Sequence, residues 1–271
     1  MPTYTPPLRD MQFVMHEVLK VCDDFKAIPR HADVDADTID AVLEQAGKFA
    51  SEVALPLNIS GDQQGCTIDP KTHAVTAPKG FKEAYAQFVA NGWPALSCDP
   101  EYGGQGLPLV VNQCLYEMLN SANQAWTMYP GLTHGAYAAL HSYGTDDQKQ
   151  TYLHKMTSGE WTGTMCLTEP HCGTDLGLMR TKAEPQADGT YRITGEKIFI
   201  SAGEHDMADN IIHLVLARLP DAPPGIKGVS LFIVPKFLVN KDGTLGARNT
   251  VYCGGLEHKM GIKANATAQI V

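Results

Sequence analysis

The sequence predicts a mixed α+β protein in which an all-helical domain precedes an antiparallel, barrel-like β domain. Three observations support this prediction. Apolar residues recur at helical spacing before residue 160. Beyond that point, segments rich in β-branched and apolar residues alternate with turn signals such as Asp188-Gly189 and the Pro223-Pro224-Gly225 run. The length of 271 residues is enough for one large domain or two ordinary ones.

The helical part is expected to contain six helices, and two of them carry clear end signals. The third stops at Gly92, a good position for a left-handed cap. The last begins at Thr145, because Thr145 and Gln148 form a T-x-x-Q capping box, and it ends near Gly159. The expected helices cover residues 11–22, 39–53, 81–89, 109–125, 132–143 and 145–159.

The β part begins at residue 161, where the period of the apolar residues changes. Strands are expected over residues 161–168, 191–201, 211–219 and 229–239. We therefore divide the chain into an N-terminal extension (1–30), a helical domain (31–160) and a middle β domain (161–271). Residues 267–271 still alternate like a strand, so we expect the chain to be cut within its β domain.

Composition excludes several classes of protein. The formal net charge of -9 argues against a nucleic-acid partner, because binding phosphates requires a basic stripe. The seven cysteines are odd in number and form no C-x-x-C pair, which argues against both a zinc site and a disulfide framework. The chain has no long apolar run and no signal-peptide pattern. A cytoplasmic protein is therefore predicted.

Residues 166–175, CLTEPHCGTD, form the candidate ligand-binding motif. The segment is a strand broken by a proline and followed by a turn rich in hydroxyls and free N–H groups. Gly173 would let the backbone approach a bulky ligand, and Thr168 and Thr174 offer hydroxyl donors. Successive N–H groups there could hold a pyrophosphate. An ordinary capped turn is the alternative interpretation.

This segment resembles the signature of the acyl-CoA dehydrogenase family, in which a hydrophobic-Thr-Glu-Pro stretch leads to Gly-Ser/Thr-Asp. Other segments resemble the same family in the same order, so the likeness spans about residues 80–271. Residues 4–22 also resemble an N-terminal extension in a branch that includes enzymes similar to 3-methylmercaptopropionyl-CoA dehydrogenase. The further segments are the loop at 92–106, the helix at 144–153, the strand at 195–201 and the turn at 258–263.

The resemblance implies that FAD is the cofactor and that the signature loop surrounds it. Met165, Leu167 and Thr168 would contact the isoalloxazine ring through backbone and hydroxyl groups. Gly173 and Thr174 would approach the phosphates, and Thr174 would also contact the acyl-CoA substrate.

Two residues of the later strand would complete the flavin contacts, and both depart from the common pattern. Phe199 would pack against the ring where many members have tryptophan, and Ser201 would reach flavin N5 where many have threonine. Cys172 stands where Gly or Ala is common. The alternative is that Phe199 is a core aromatic residue and Ser201 a strand-end hydroxyl.

The reaction implied by the resemblance is α,β-dehydrogenation of an acyl-CoA thioester, with electron-transfer flavoprotein as electron acceptor and a homo-oligomer as the full-length form. In the family the catalytic base is a Glu on a C-terminal helical bundle, beyond Val271 here. We therefore name no catalytic residue and expect the fragment alone to be inactive. An acyl-CoA oxidase, a flavin monooxygenase on the same scaffold, or a non-catalytic interaction fragment are the alternatives.

Other residues of the motif receive structural interpretations. Glu169 precedes a proline in a tight loop, so we expect it to be a hydrogen-bond partner and not a general base. His171 and Cys172 are adjacent and would point apart, so no metal site is predicted without a third group. Tyr129, Pro130 and His134 either line the acyl pocket or simply pack between helices.

Overall fold

A computed structural model describes residues 3–271, so the first two residues of the predicted N-terminal extension lie outside it. Helices dominate up to residue 157 and strands from residue 161, and one short two-stranded hairpin at 67–76 lies within the helical part. None of the helices in residues 3–271 is long and apolar enough to cross a membrane. The helices are α1 (Leu8–Gln12), α2 (Val21–Lys26), α3 (Ala36–Lys48), α4 (Pro56–Gln64), α5 (Phe81–Ala90), α6 (Leu109–Tyr143) and α7 (Asp146–Thr157).

The core of the helical part forms around Trp126 of α6, which is fully buried. Its indole ring lies 5.3 Å from the ring of Phe88 on α5 and 5.7 Å from that of Phe49, at the end of α3. Its Nε1 donates to the Phe81 carbonyl at 3.2 Å. Large aromatic side chains bury the most apolar area, so this cluster holds α3, α5 and α6 together.

The predicted helix ends are confirmed where the sequence carries a cap. Gly92 has φ +75° after α5, the left-handed conformation that glycine adopts without steric cost. Thr145 accepts from the Gln148 amide, and the Gln148 side chain accepts from the Thr145 amide, which completes the capping box of α7.

Two helical segments are present within α6, as predicted, but the break lies at Asn123, whose φ of −158° and ψ of 84° are not helical, and not between residues 125 and 132. The side chain of Asn123 compensates for the broken ladder. Its Nδ2 donates to the Ala54 carbonyl at 3.0 Å, and its Oδ1 accepts from the Trp126 amide at 3.1 Å. The kink is therefore satisfied from within the chain, and the helix continues past it.

The strands form open sheets of five, three, two and two strands. In the largest sheet, β7 pairs along one edge with β3 and with the end of β4, and along the other with β8. The strands are β1 (Thr67–Ile68), β2 (Val75–Thr76), β3 (Trp161–Cys166), β4 (Lys182–Pro185), β5 (Tyr191–Thr194), β6 (Lys197–Ile200), β7 (Asn210–Arg218), β8 (Val229–Pro235), β9 (Phe237–Val239), β10 (Leu245–Arg248), β11 (Cys253–Leu256) and β12 (Ala268–Ile270).

Four expectations for the β part need correction. The sheets in residues 3–271 are open, so the barrel-like closure is not found. The central pair β3–β7 is parallel over six residues, because a long crossover returns the chain to the same end of the sheet. The strand predicted over residues 191–201 is two strands in different sheets, and the one predicted over 229–239 breaks at Lys236.

The break between β5 and β6 falls at Gly195. Its backbone passes so close to Thr181 that an added Cβ would lie 2.4 Å from the Thr181 Oγ1, so only glycine fits here. The chain leaves the edge of the five-stranded sheet at this point. The chain then enters the three-stranded sheet, in which β12 lies between β11 and β6.

Candidate functional site

The signature segment begins at the end of β3 and turns back on itself. Met165, near the end of the strand, is 39% exposed. The amide of Glu169 donates to the Cys172 carbonyl at 2.9 Å, and the amide of Cys172 donates back to Glu169 at 3.1 Å. These two bonds close a four-residue turn that fixes where Gly173 emerges.

β6 lies beside this segment. The Ile198 amide donates to the Thr168 carbonyl at 2.9 Å. This bond brings Leu167 and Thr168 next to the strand that carries Phe199 and Ser201. The structure thus brings together the two parts of the chain that the sequence assigned to one ligand.

Phe199 adopts an unusual backbone conformation, with φ +58°. Ala268 of β12 pairs with Ile200 of β6, and Ile270 pairs with Lys197. Between these two pairs, β12 has one residue and β6 has two. β6 therefore carries a bulge, and bulges reorient side chains. Phe199 is 57% exposed, so the alternative interpretation as a core aromatic residue is wrong. A strained aromatic residue held on the surface motivates a functional hypothesis.

We expect Phe199→Gly to have opposite effects on stability and on flavin binding. Glycine removes the left-handed strain, worth about 1–2 kcal/mol, and adds about 0.5–1 kcal/mol of chain entropy cost. The free energy of unfolding should therefore stay equal or rise by up to about 1 kcal/mol. The Kd for FAD should rise, because the exposed ring is lost. Urea unfolding and flavin titration measure the two effects. A variant that loses stability but retains flavin affinity would contradict the assignment.

The turn that carries Ser201 is anchored by Asn265, which the sequence did not single out. The Ala202 amide, at φ +53°, donates to Asn265 Oδ1 at 3.1 Å. Asn265 Nδ2 donates in turn to the Ala125 carbonyl of α6 at 3.2 Å. Tyr129 secures the same loop, since its hydroxyl accepts from the Ala266 amide at 3.0 Å. Helix α6 therefore positions Ser201.

Three predicted hydroxyl donors are free within the described part of the chain. The hydroxyls of Thr168, Thr174 and Ser201 form no hydrogen bond with other residues among 3–271, although most side chains around them do. At Gly173, an added Cβ would meet only the Thr168 methyl, at 3.6 Å. The three hydroxyls are at exposed or half-buried positions, so they and the space beside Gly173 are accessible to a ligand.

Glu169 is a buried hydrogen-bond acceptor, as its position before Pro170 predicted. Its carboxylate accepts from the amides of Arg180 and Thr181, at 2.8 and 3.0 Å, from the Thr181 hydroxyl at 2.5 Å and from Lys197 at 2.9 Å. Burial raises the pKa of Glu169, but these donors outweigh it and lower the pKa to about 2. A carboxylate this well satisfied is unsuited to act as a general base.

A third group for the His171–Cys172 pair is present, since atoms of Glu169, His171 and Cys172 lie within 4.8 Å of one another. However, Lys197 already neutralises Glu169, and His171 Nε2 lies 3.0 Å from the Leu178 carbonyl. The ligand atoms of Glu169 and His171 are thus engaged in protein contacts. The prediction of no metal remains a prediction.

The predicted acyl-pocket residues divide into two groups. Pro130 and His134 line a space of about 10 Å³, together with Tyr85, Tyr116 and Tyr137. Burial lowers the pKa of His134, so this side chain favours its neutral form. Tyr129 instead contributes to the anchor of the 264–266 loop. The space is adjacent to β3, because the Gly163 amide donates to Thr133 at 3.1 Å.

Known protein families match nearly the whole chain. The model of the acyl-CoA dehydrogenase N-terminal domain matches residues 36–160, and that of the middle domain matches residues 164–271.

Curated relatives share the same family. The chain is 47% identical over 266 residues to 3-methylmercaptopropionyl-CoA dehydrogenase of Ruegeria pomeroyi, which covers 98% of this chain and 45% of that protein. It is 40% identical to a butyryl-CoA dehydrogenase of Syntrophomonas wolfei and to a broad-specificity linear acyl-CoA dehydrogenase of Mycobacterium tuberculosis. These matches cover 98% and 100% of this chain, and 44% of each relative. The chain thus spans less than half the length of these relatives.

Solved structures share the fold. Butyryl-CoA dehydrogenase from Megasphaera elsdenii superposes with a TM-score of 0.67 at 24% identity, covering 86% of this chain and 55% of that one. An acyl-CoA dehydrogenase from Bacillus anthracis, solved with FAD, also gives 0.67, at 23% identity, covering 89% of this chain and 36% of that one. With its two matched domains and these relatives, the chain belongs to the acyl-CoA dehydrogenase family.

Proposed function

We propose that this chain forms the flavin-binding part of an FAD-dependent enzyme that dehydrogenates an acyl-CoA thioester between its α and β carbons. The observation that supports this most strongly is the β6 bulge. It holds Phe199 exposed and strained beside the Thr168 backbone. The pairing of β6 with β12 sets this bulge, and the exposed ring that it presents offers a face to a planar aromatic ligand at this edge.

The residues present fit the chemistry of a flavin. Phe199 and Met165 offer exposed apolar surface of the kind that packs on an isoalloxazine ring. The free hydroxyls of Thr168 and Ser201 can donate to its polar atoms, and Gly173 and Thr174 leave room for a pyrophosphate. When bound, the flavin accepts the hydride that leaves the β carbon.

The substrate would enter beside α6. We propose that the acyl chain lies toward Pro130 and His134, and that Thr174 contacts the acyl-CoA. The space there is about 10 Å³, room for about one water molecule, so side chains such as His134 must move to admit an acyl chain. The neutral, buried character of His134 suits an apolar occupant.

The chain's own residues orient the reactants but supply no base in this proposal. Glu169 is the acid that Lys197 joins to β6, and its carboxylate is occupied by four donors. Ser201, fixed through Asn265, would hold the flavin edge at which hydride arrives. We propose that the base is supplied outside the described residues.

The cellular context is part of the same proposal. All seven cysteines are free thiols, which fits a reducing, cytoplasmic setting. Electrons would pass from the reduced flavin to an electron-transfer flavoprotein, and the full protein would be a homo-oligomer.

Anaerobic flavin spectroscopy on the full gene product tests the proposal. The purified protein should bind FAD stoichiometrically, and addition of a saturated acyl-CoA should bleach the visible flavin band. Electron-transfer flavoprotein should restore the band in repeated cycles, whereas dioxygen should restore it slowly. Fast recovery with dioxygen would identify an oxidase or monooxygenase instead. Protein that binds no FAD would contradict the proposal.

A further inference from the structure

Lys197 has a buried ammonium group that joins β6 to the signature segment. Its side chain is 3% exposed, and Lys197 is not among the residues assigned to flavin contacts. Its Nζ donates to the Leu167 carbonyl at 3.0 Å and to Glu169 Oε1 at 2.9 Å. One cation thus holds residues on both sides of Thr168.

The acceptor on Glu169 is itself immobile. The amides of Arg180 and Thr181 and the Thr181 hydroxyl all donate to that carboxylate. Lys197 therefore bonds to a fixed point, and its second bond determines where the Leu167 carbonyl lies. Phe199, whose ring is exposed, lies two residues after Lys197 on β6. The separation between the backbone at Leu167 and this ring depends on the length and direction of the Lys197 side chain.

Stability alone does not account for a lysine at this position. A buried ion pair gains little over well-packed apolar residues of similar volume, because both charges must be desolvated. A strand held only for stability would do as well with methionine. A buried ammonium with two directed bonds adds orientation, since each bond requires a defined distance and angle.

We propose that Lys197 is a positioning residue that holds the backbone of Leu167 and Thr168 at the distance from Phe199 that a flavin ring requires. This inference rests on the proposed function. Lys197 acts through the Leu167 carbonyl and does not touch the cofactor. Its removal should therefore weaken flavin binding even where the fold is kept.

The test compares Lys197→Met/Glu169→Gln with wild type in the full gene product. The double substitution removes both charges, so neither is left buried without its partner, but the bond to the Leu167 carbonyl is lost. We expect the Kd for FAD to rise about ten- to hundredfold, as for loss of one charged hydrogen bond, with a shifted visible flavin band. The Tm should fall as well, because the carboxamide nitrogen that replaces one oxygen of Glu169 faces a backbone N–H donor, so the Kd is measured at a temperature at which the variant is folded.

Lys236→Met is the matched control. Lys236 is also a largely buried lysine of the β part, and its bonds go to Glu204 and the His205 carbonyl. We expect it to lower Tm without changing the Kd for FAD. If the double variant does not fold, Lys197→Arg provides the comparison, because it keeps the charge while displacing the donor from Leu167.

The possible outcomes separate the two hypotheses. If a folded Lys197 variant binds FAD with the wild-type Kd, the positioning role alone is overturned. The same conclusion follows if the Kd for FAD rises in proportion to the loss of Tm in both the Lys197 and the Lys236 variants. A wild-type protein that binds no FAD contradicts the proposed function and the positioning role together. A raised Kd only in the Lys197 variants supports the role.

Discussion

Replacing Ser201 with alanine is expected to slow flavin reduction by acyl-CoA about ten- to hundredfold while leaving the fold intact. The proposed role of the hydroxyl is a hydrogen bond at the flavin edge that accepts hydride. Loss of such a bond costs about 1–3 kcal/mol in the barrier. Folding should be little affected, because within residues 3–271 the hydroxyl has no partner to lose. Stopped-flow flavin bleaching and urea unfolding measure the two quantities.

Ser201→Thr is the control for this prediction. It keeps the hydroxyl and adds one methyl group, so it should retain a reduction rate close to that of wild type. An alanine variant that reduces its flavin at the wild-type rate would show that the hydroxyl does not assist hydride transfer. A slow threonine variant would show that space, not the hydroxyl, controls the rate.

Acidification from pH 7.5 to 5 is expected to remove a few kcal/mol of stability through two buried histidines. Burial, together with the nearby cation of Lys236, lowers the pKa of His205 and of His213 to about 3. The unfolded chain binds these protons near the ordinary pKa of about 6.5. Between about pH 6.5 and 3 the unfolded state therefore binds more protons, so the free energy of unfolding falls as the pH falls.

The hydrogen bonds explain why protonation is resisted at His205. Its Nδ1 accepts from the Met207 amide at 3.2 Å, so the ring proton is on Nε2, which lies 3.0 Å from the Thr162 hydroxyl. A second proton on Nδ1 would face an N–H donor. His213 Nδ1 lies 2.7 Å from Thr164 in the same interior, with Arg248 as a further nearby cation.

His205→Gln should lose about half of this pH dependence in urea unfolding at pH 7.5 and 5. His258→Gln, at an exposed position, serves as the control and should follow wild type. Equal pH dependence in wild type and the His205 variant would show that the buried ring takes its proton without cost to the fold.

Much of the helical part could be predicted because its signals are local. The capping box at Thr145 and the left-handed Gly92 depend only on neighbouring residues, and both occur as expected. The break within α6 was expected between residues 125 and 132, but it lies at Asn123. The Asn123 side chain satisfies that kink through its bond to the distant Ala54 carbonyl, which no local pattern reveals.

The β part was predicted less well because its geometry depends on distant partners. Alternation identifies a strand but not its neighbour, so the parallel pairing of β3 with β7 was missed. Phe199 could not be recognised as strained, since its bulge is imposed by β12. The sequence indicated no role for Lys197, because its burial and its contact with Glu169 depend on a partner 28 residues away in the chain. The roles of the flavin residues came from the family resemblance and not from these physical signals.

The pairing of β6 with β12 also has a consequence for synthesis on the ribosome. Ile200 pairs with Ala268, about 70 residues further along the chain. At about 5–20 residues per second, that partner is made roughly 4–14 s after β6. Until then, the strand bearing Phe199 has an unpaired edge next to an apolar ring, the kind of segment that aggregates. Slow translation or a chaperone binding this edge would therefore affect the yield of active protein more than the final stability of the fold.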